Sequence, residues 1–92
     1  MPTATARHIL VKTEAECLQL KEWINAGEDF ADVARSHSQC PSKAQGGDLG
    51  RFRPGMMVKE FDEVVFSADL NTLQGPVKTQ FGYHLLEVTS RS

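Results

Sequence analysis

The 92-residue sequence lacks any long apolar run, and nothing in it is long enough to cross a bilayer as a helix. It also lacks a charge bias: 10 basic and 12 acidic residues leave a net charge of −2, with no run of one sign. A nucleic-acid binder needs a basic stripe to neutralise phosphates, and a membrane-surface helix needs a cationic face. Neither is present, so no nucleic-acid or membrane partner is expected. Cysteine is scarce: Cys17 and Cys40 are too few for a disulfide scaffold. Both are read as reduced thiols. Residues Met1 to Arg7 hold no apolar core of signal-peptide length, and the expected location is the cytoplasm. No tract is repetitive or of low complexity. The length fits one domain, residues 1–92, with a modest core and little room for a cofactor domain.

What is there alternates between strand and helix patterns. Thr5 to Val11 reads as a strand, and the apolar run Ile9-Leu10-Val11 suits a central one covered on both faces. Thr13-Glu14-Ala15-Glu16 is a capping box, and a helix should follow to about Ala26 with Gly27 as its stop. Cys17, Leu20, Trp23 and Ile24 are expected toward the core. Asp29 can cap a second helix, in which Phe30, Val33, Ala34 and His37 share one face. Ser38 to Gly47 is a loop with room for one helical turn. Leu49 to Arg53 reads as a short strand, Pro54-Gly55 as a turn and Met57 to Phe66 as a third helix. Gly75 to Lys78 and Tyr83 to Thr89 read as a hairpin turning at Gln80-Phe81-Gly82. The pattern gives an α+β domain, one partly antiparallel sheet with helices packed on it.

Three groups of side chains could carry chemistry. His8 lies in the first strand and His84 in the last, each flanked by Ile or Leu. If the terminal strands pair at the sheet centre, the two imidazoles can face each other. Singly, each is most simply a hydrogen-bonded core histidine. Cys40, in Gln39-Cys40-Pro41-Ser42, is either a nucleophile activated by a histidine or a small hydrophobe closing the core. His37-x-x-Cys40 also has ligand spacing, and His8 and His84 could complete a site, but it is a single close pair and structural zinc sites show two; no metal or other cofactor is expected. Met57 and Phe61 lie one turn apart at a helix start and can wall an adaptable apolar pocket. Gly46-Gly47-Asp48-Leu49-Gly50 lacks the Gly-Lys-Ser/Thr ending of a phosphate loop; its glycines suit tight turning beside a neighbour.

In combination these segments resemble a known family. His8-Ile9-Leu10-Val11-Lys12, Gly46-Gly47-Asp48-Leu49-Gly50-Arg51-Phe52, Met57-x-x-x-Phe61, and Gly75-Pro76-Val77 with Phe81-Gly82-Tyr83-His84 match the parvulin peptidyl-prolyl cis/trans isomerases in order and spacing. The likeness covers nearly the whole chain, and its nearest type is the bacterial stand-alone parvulin. It implies a four-stranded antiparallel sheet wrapped by about four helices, and rotation about X–Pro bonds in proline-containing peptides and unfolded chains as the activity. It places His8, His84, Cys40 and Thr79 in the catalytic hydrogen-bond network, with Cys40 at a position that is Cys or Asp across the family. It places Leu49, Met57 and Phe61 in the pocket for the proline ring. Phe81 is placed with them, where phosphate-directed members carry serine. Those members also carry a basic cluster in a long loop after the first strand. Here Lys12 runs directly into Thr13, so no phosphate preference is expected. A monomer suffices. The alternatives are a Cys–His hydrolase and a non-catalytic holdase of proline-containing segments.

Overall fold

A computed structural model describes residues 2–92. The elements run β1 (Ala4–Val11), α1 (Glu14–Asn25), α2 (Phe30–His37), a 3₁₀ turn (Pro41–Gln45), β2 (Asp48–Phe52), α3 (Lys59–Val65), β3 (Leu73–Thr79) and β4 (Gly82–Arg91). The four strands form one antiparallel sheet in the order β2-β1-β4-β3. The first and last strands are therefore the central pair, and the expected α+β architecture stands, with three α-helices and one 3₁₀ turn.

Alternation along β1 and β4 divides the interior in two. Ile9, Val11 and Leu85 point to one face, where Cys17 and Leu20 of α1 and Phe30, Val33 and Ala34 of α2 cover them. Ala4, Ala6, Leu86 and Val88 point to the other, where Phe52, Phe61 and Val65 pack. The Ile9-Leu10 run belongs to a strand with both faces covered. His8 and His84 share the α3 face with Ala6 and Leu86, and so they stand beside Phe61 rather than beside α1.

Local signals explain the helix starts. The Thr13 hydroxyl accepts from Glu16 N–H at 3.2 Å, and the Asp29 carboxylate accepts from Asp32 N–H at 3.1 Å. Gly27, at φ +118, ends α1 as the sequence suggests. Two expectations need correction. The third helix does not span 57–66. Val58 is extended and offers no side-chain cap, so α3 begins at Lys59 and Met57 stays in the preceding turn. Trp23 is not a core residue: it is 40% exposed, and its ring tilts against His37 with centroids 5.5 Å apart. Six positions from Cys17, it lies off the stripe made by Cys17, Leu20 and Ile24.

β1 pairs with β2 only through Ala4 to Arg7. Beyond that, backbone and loop groups take over the strand's open edge. His8 N–H donates to Gly47 C=O at 2.9 Å, Leu10 N–H to Ser38 Oγ at 3.0 Å, and Gln39 N–H to Leu10 C=O at 2.7 Å. These bonds bring the Ser38–Gly47 loop, and with it Cys40, beside His8. Gly47 itself has φ +89, and a Cβ there would overlap the His8 carbonyl oxygen. Gly47→Ala should therefore lose at least about 2 kcal/mol of stability, since a non-glycine residue at positive φ costs on the order of 1–3 kcal/mol before any overlap. Gly50→Ala, also at positive φ but with nothing within 4 Å of its Cβ, should lose less. Urea unfolding of the two variants checks this; a Gly47→Ala protein as stable as Gly50→Ala contradicts it.

Candidate active site

A cleft opens between α3 and the Ser38–Gly47 loop, over the central strands. Its cavity of about 340 Å³ is lined by His8, Leu10, Gln39, Cys40, Pro41, Leu49, Met57, Val58, Phe61, Phe81 and His84. Of the eight side chains singled out from sequence, the cleft brings seven together. The eighth, Thr79, sits behind His84. Among the described residues no Lys, Arg, Asp or Glu lines the cavity, so its interior is nearly all apolar surface above two imidazoles.

The register explains how the histidines meet. His8 lies opposite Leu86 and Leu10 opposite His84, so the imidazoles are diagonal neighbours on one face of an antiparallel pair. The rings stack at 18° with centroids 5.2 Å apart, and the two Nδ1 atoms are 3.1 Å apart. His84 Nε2 is 2.7 Å from Thr79 Oγ1, and Thr79 Oγ1 accepts from Phe81 N–H at 3.2 Å. Phe61 caps the pair, with its ring edge-on to His8 at 5.6 Å and to His84 at 5.7 Å.

Burial fixes the charge of this pair. His8 is 6% exposed and His84 4%. Burial, helped by the neighbouring His84, pushes His8 down to about 4. Burial also lowers His84. Both imidazoles are therefore neutral at pH 7. A neutral pair sharing an Nδ1···Nδ1 contact must have one ring protonated on Nδ1 and the other not. The protons then run as a string, from Thr79 through His84 to His8 or the reverse. His8 Nε2, buried without a partner, is an N–H in the first direction and a bare lone pair in the second.

Cys40 shares the cleft but not the string. Its N–H donates to Ser38 Oγ at 3.3 Å, while none of the hydrogen bonds among the described residues involves its thiol. Leu49, Met57 and Phe61 form an apolar wall, with Phe61 buried at its centre. Phe81 belongs to the lip rather than the floor, at 61% exposure. His37, the other half of the His-x-x-Cys spacing, packs on Trp23 at a separate place on α2.

Leu10, Gln39, Pro41 and Val58 line the cleft without having been singled out, and Ser38 positions it. Ser38 is 3% exposed, and its hydroxyl accepts from both Leu10 and Cys40 N–H. The only local trace of this role is a serine directly after the apolar stripe of α2.

A small α+β sheet with a hydrogen-bonded pair of neutral histidines beneath an apolar cleft defines a class, and comparison places the chain within it. The family described as the rotamase, or PPIC-type PPIase, domain matches residues 4–90. The chain belongs to this family of peptidyl-prolyl isomerase domains, and the parvulin resemblance of its sequence holds. It is 45% identical over 91 residues to foldase protein PrsA 4 of Bacillus cereus, a match covering 98% of this chain and 32% of that protein. The crystal structure of the peptidylprolyl isomerase PrsA from Bacillus anthracis superposes with a TM-score of 0.96 at 35% identity, over 99% of this chain and 42% of that one. The solution structure of NmPin, the parvulin of Nitrosopumilus maritimus, gives a TM-score of 0.87 at 33% identity over 98% of both chains. The chain thus spans about a third of the length of the curated foldases it matches and nearly the whole of an archaeal parvulin.

Proposed function

We propose that this chain accelerates cis/trans rotation about X–Pro bonds without forming a covalent intermediate. The observation that carries the reading is the cleft itself: an apolar cavity with room for a proline ring and its neighbours, walled by Leu49, Met57 and Phe61, over an uncharged histidine pair. The uncatalysed barrier, about 18–20 kcal/mol, arises from amide resonance, and no bond has to break. At the twisted transition state resonance is lost and the carbonyl oxygen carries less negative charge. A dry, uncharged cleft gives the planar amide less solvation than water does, while the twisted amide needs less. Each roughly 1.4 kcal/mol of such differential binding is worth about tenfold in rate. In this reading the Thr79–His84–His8 string holds the floor in shape without placing a charge in it.

A covalent role for Cys40 is disfavoured by geometry, because its thiol is hydrogen-bonded to neither imidazole, while the imidazoles bond each other and Thr79. Cys40→Asp is expected to keep isomerase activity within about tenfold of the parent. A folded Cys40→Asp protein without activity contradicts the non-covalent reading. With no Lys or Arg lining the cleft, peptides with phosphoserine before proline should be turned over no faster than those with leucine. A clear preference for the phosphopeptide in competition would reverse this. The foldase names of the longer relatives support unfolded, proline-containing chains as clients. We further propose action as a monomer in a reducing compartment, the cytoplasm. Cys17 in the core and Cys40 at the cleft are free thiols in different parts of the fold.

A further inference from the structure

The turn between β2 and α3 delivers two residues to the cleft wall, and it is anchored from an unexpected direction. Met56 N–H closes the turn onto Arg53 C=O at 3.2 Å, and Arg53 N–H lies 3.3 Å from Met56 Sδ. Gly55, at φ +92, forms its tip. The helix that follows has no side-chain cap, because Val58 offers no oxygen to its first turn. Asp62, from within that helix, reaches back instead. Its Oδ2 accepts from Gly55 N–H at 2.6 Å. Its Oδ1 is buried with no partner. A carboxylate on a short, solvent-bordered helix is best solvated when turned to water, yet this half-buried one folds back onto the turn.

The location gives that contact a consequence. Asp62 follows Phe61 in the chain, and the turn it grips runs straight into Met57 and Val58. Met57, Val58 and Phe61 all line the cavity. One hydrogen bond therefore joins the two pieces of chain from which a single wall is built.

We propose that Asp62 is a positioning residue of the cleft. By accepting from Gly55 N–H it locks the turn of residues 53–57 onto α3, so that Met57 and Val58 stand in place beside Phe61 before a proline ring enters. The inference rests on the isomerase reading above and deepens it. A wall ordered in advance adds no ordering cost to binding, and a wall freed from its latch must be ordered by the substrate. Such a loss falls on planar and twisted amide alike, so it should appear in KM rather than in kcat.

The test uses three variants of the whole chain, an Ala-Leu-Pro peptide, exchange NMR for kcat and KM, and hydrogen exchange at the Gly55 amide. Asp62→Ala should raise KM about tenfold with kcat within about twofold, and Gly55 N–H should lose its protection. Asp62→Asn, whose Oδ1 still accepts, should recover most of the affinity. Arg91→Ala is the stability control. It removes the Arg91 bonds to the Val65 and Ala68 carbonyls, 3.0 and 2.6 Å, at the other end of α3, and should lower Tm while leaving KM in place. An unchanged KM in folded Asp62→Ala overturns the proposal. So does an equal rise in Arg91→Ala, which would mean general loosening, and so does Asp62→Asn being as weak as Asp62→Ala. A parent protein that binds the peptide without speeding exchange defeats the isomerase reading alone. Peptide Kd then takes the place of KM, and the same three comparisons still decide the latch.

Discussion

Phe61→Ala should produce the largest loss of any single change in the cleft, in both stability and activity. The ring is 3% exposed and touches both histidines edge-on as well as Phe52, so it belongs to the core and to the site at once. Truncating a buried phenylalanine typically costs about 3–5 kcal/mol through lost burial and the cavity left behind. The same ring supplies much of the apolar surface offered to proline. Removing a contact worth about 2–3 kcal/mol should lower kcat/KM about thirty- to a hundred-and-fiftyfold among the molecules that remain folded. It would also let water reach the imidazoles. Phe61→Leu keeps most of the apolar surface and loses the edge-on contacts, so it should fall between the parent and Phe61→Ala on both measures. Urea unfolding and exchange NMR on the same samples separate the two effects. If Phe61→Ala unfolds at the parent's midpoint and turns peptide over at the parent's rate, the proline wall lies elsewhere.

Acid should destabilise the protein through the histidine pair, and the sign follows from the direction of the shift. His8 is lowered from 6.5 to about 4 in the fold, and His84 is lowered as well. The unfolded chain therefore takes up protons near pH 6.5 that the folded chain refuses. The stability held by the neutral pair is complete above that pH and drains away as pH falls from 6.5 toward 4. For His8 alone the loss between pH 7 and pH 5 is about 2 kcal/mol, and His84 adds to it in the same direction. Most exposed carboxylates are still ionised over this interval, so the effect is not general acid denaturation. His8→Leu removes one titrating group and should make the pH dependence of urea unfolding shallower. A parent protein equally stable at pH 5 and pH 7, or a His8→Leu variant with the parent's slope, contradicts a buried neutral pair.

The first two helices and the central strands were legible because their signals are local. Thr13 and Asp29 each announce a helix by a cap three residues long, and the apolar run at Ile9-Leu10 marks a strand covered on both sides. The glycine run at 46–50 was readable as tight turning, and Gly47 proves to abut the His8 backbone. The pairing of His8 with His84 depended on one topological guess, that the terminal strands meet. Their diagonal offset depended on register, which the hairpin does not set for β1. For Cys40 the sequence left a nucleophile and an inert small hydrophobe both open. Spacing along the chain says nothing of whether a thiol hydrogen-bonds to an imidazole 32 residues away in β1. Ser38 and Asp62 were missed for a related reason. A serine after a helix and an aspartate within one are ordinary in sequence, and their partners, Leu10 N–H and Gly55 N–H, are set by tertiary packing. Trp23 was misplaced with Cys17, Leu20 and Ile24, although helical phase puts it off their stripe.

The most direct test of the central claim is two-dimensional exchange NMR on an Ala-Leu-Pro peptide with and without the protein at about one-hundredth of the peptide concentration. Free X–Pro bonds interconvert in roughly tens to hundreds of seconds at 25 °C. With the protein present, cross-peaks between the cis and trans signals should appear at mixing times below about one second, and they should vanish with Phe61→Ala. Cis and trans signals that exchange no faster with the protein than without it would contradict the assignment of this cleft as an isomerase site.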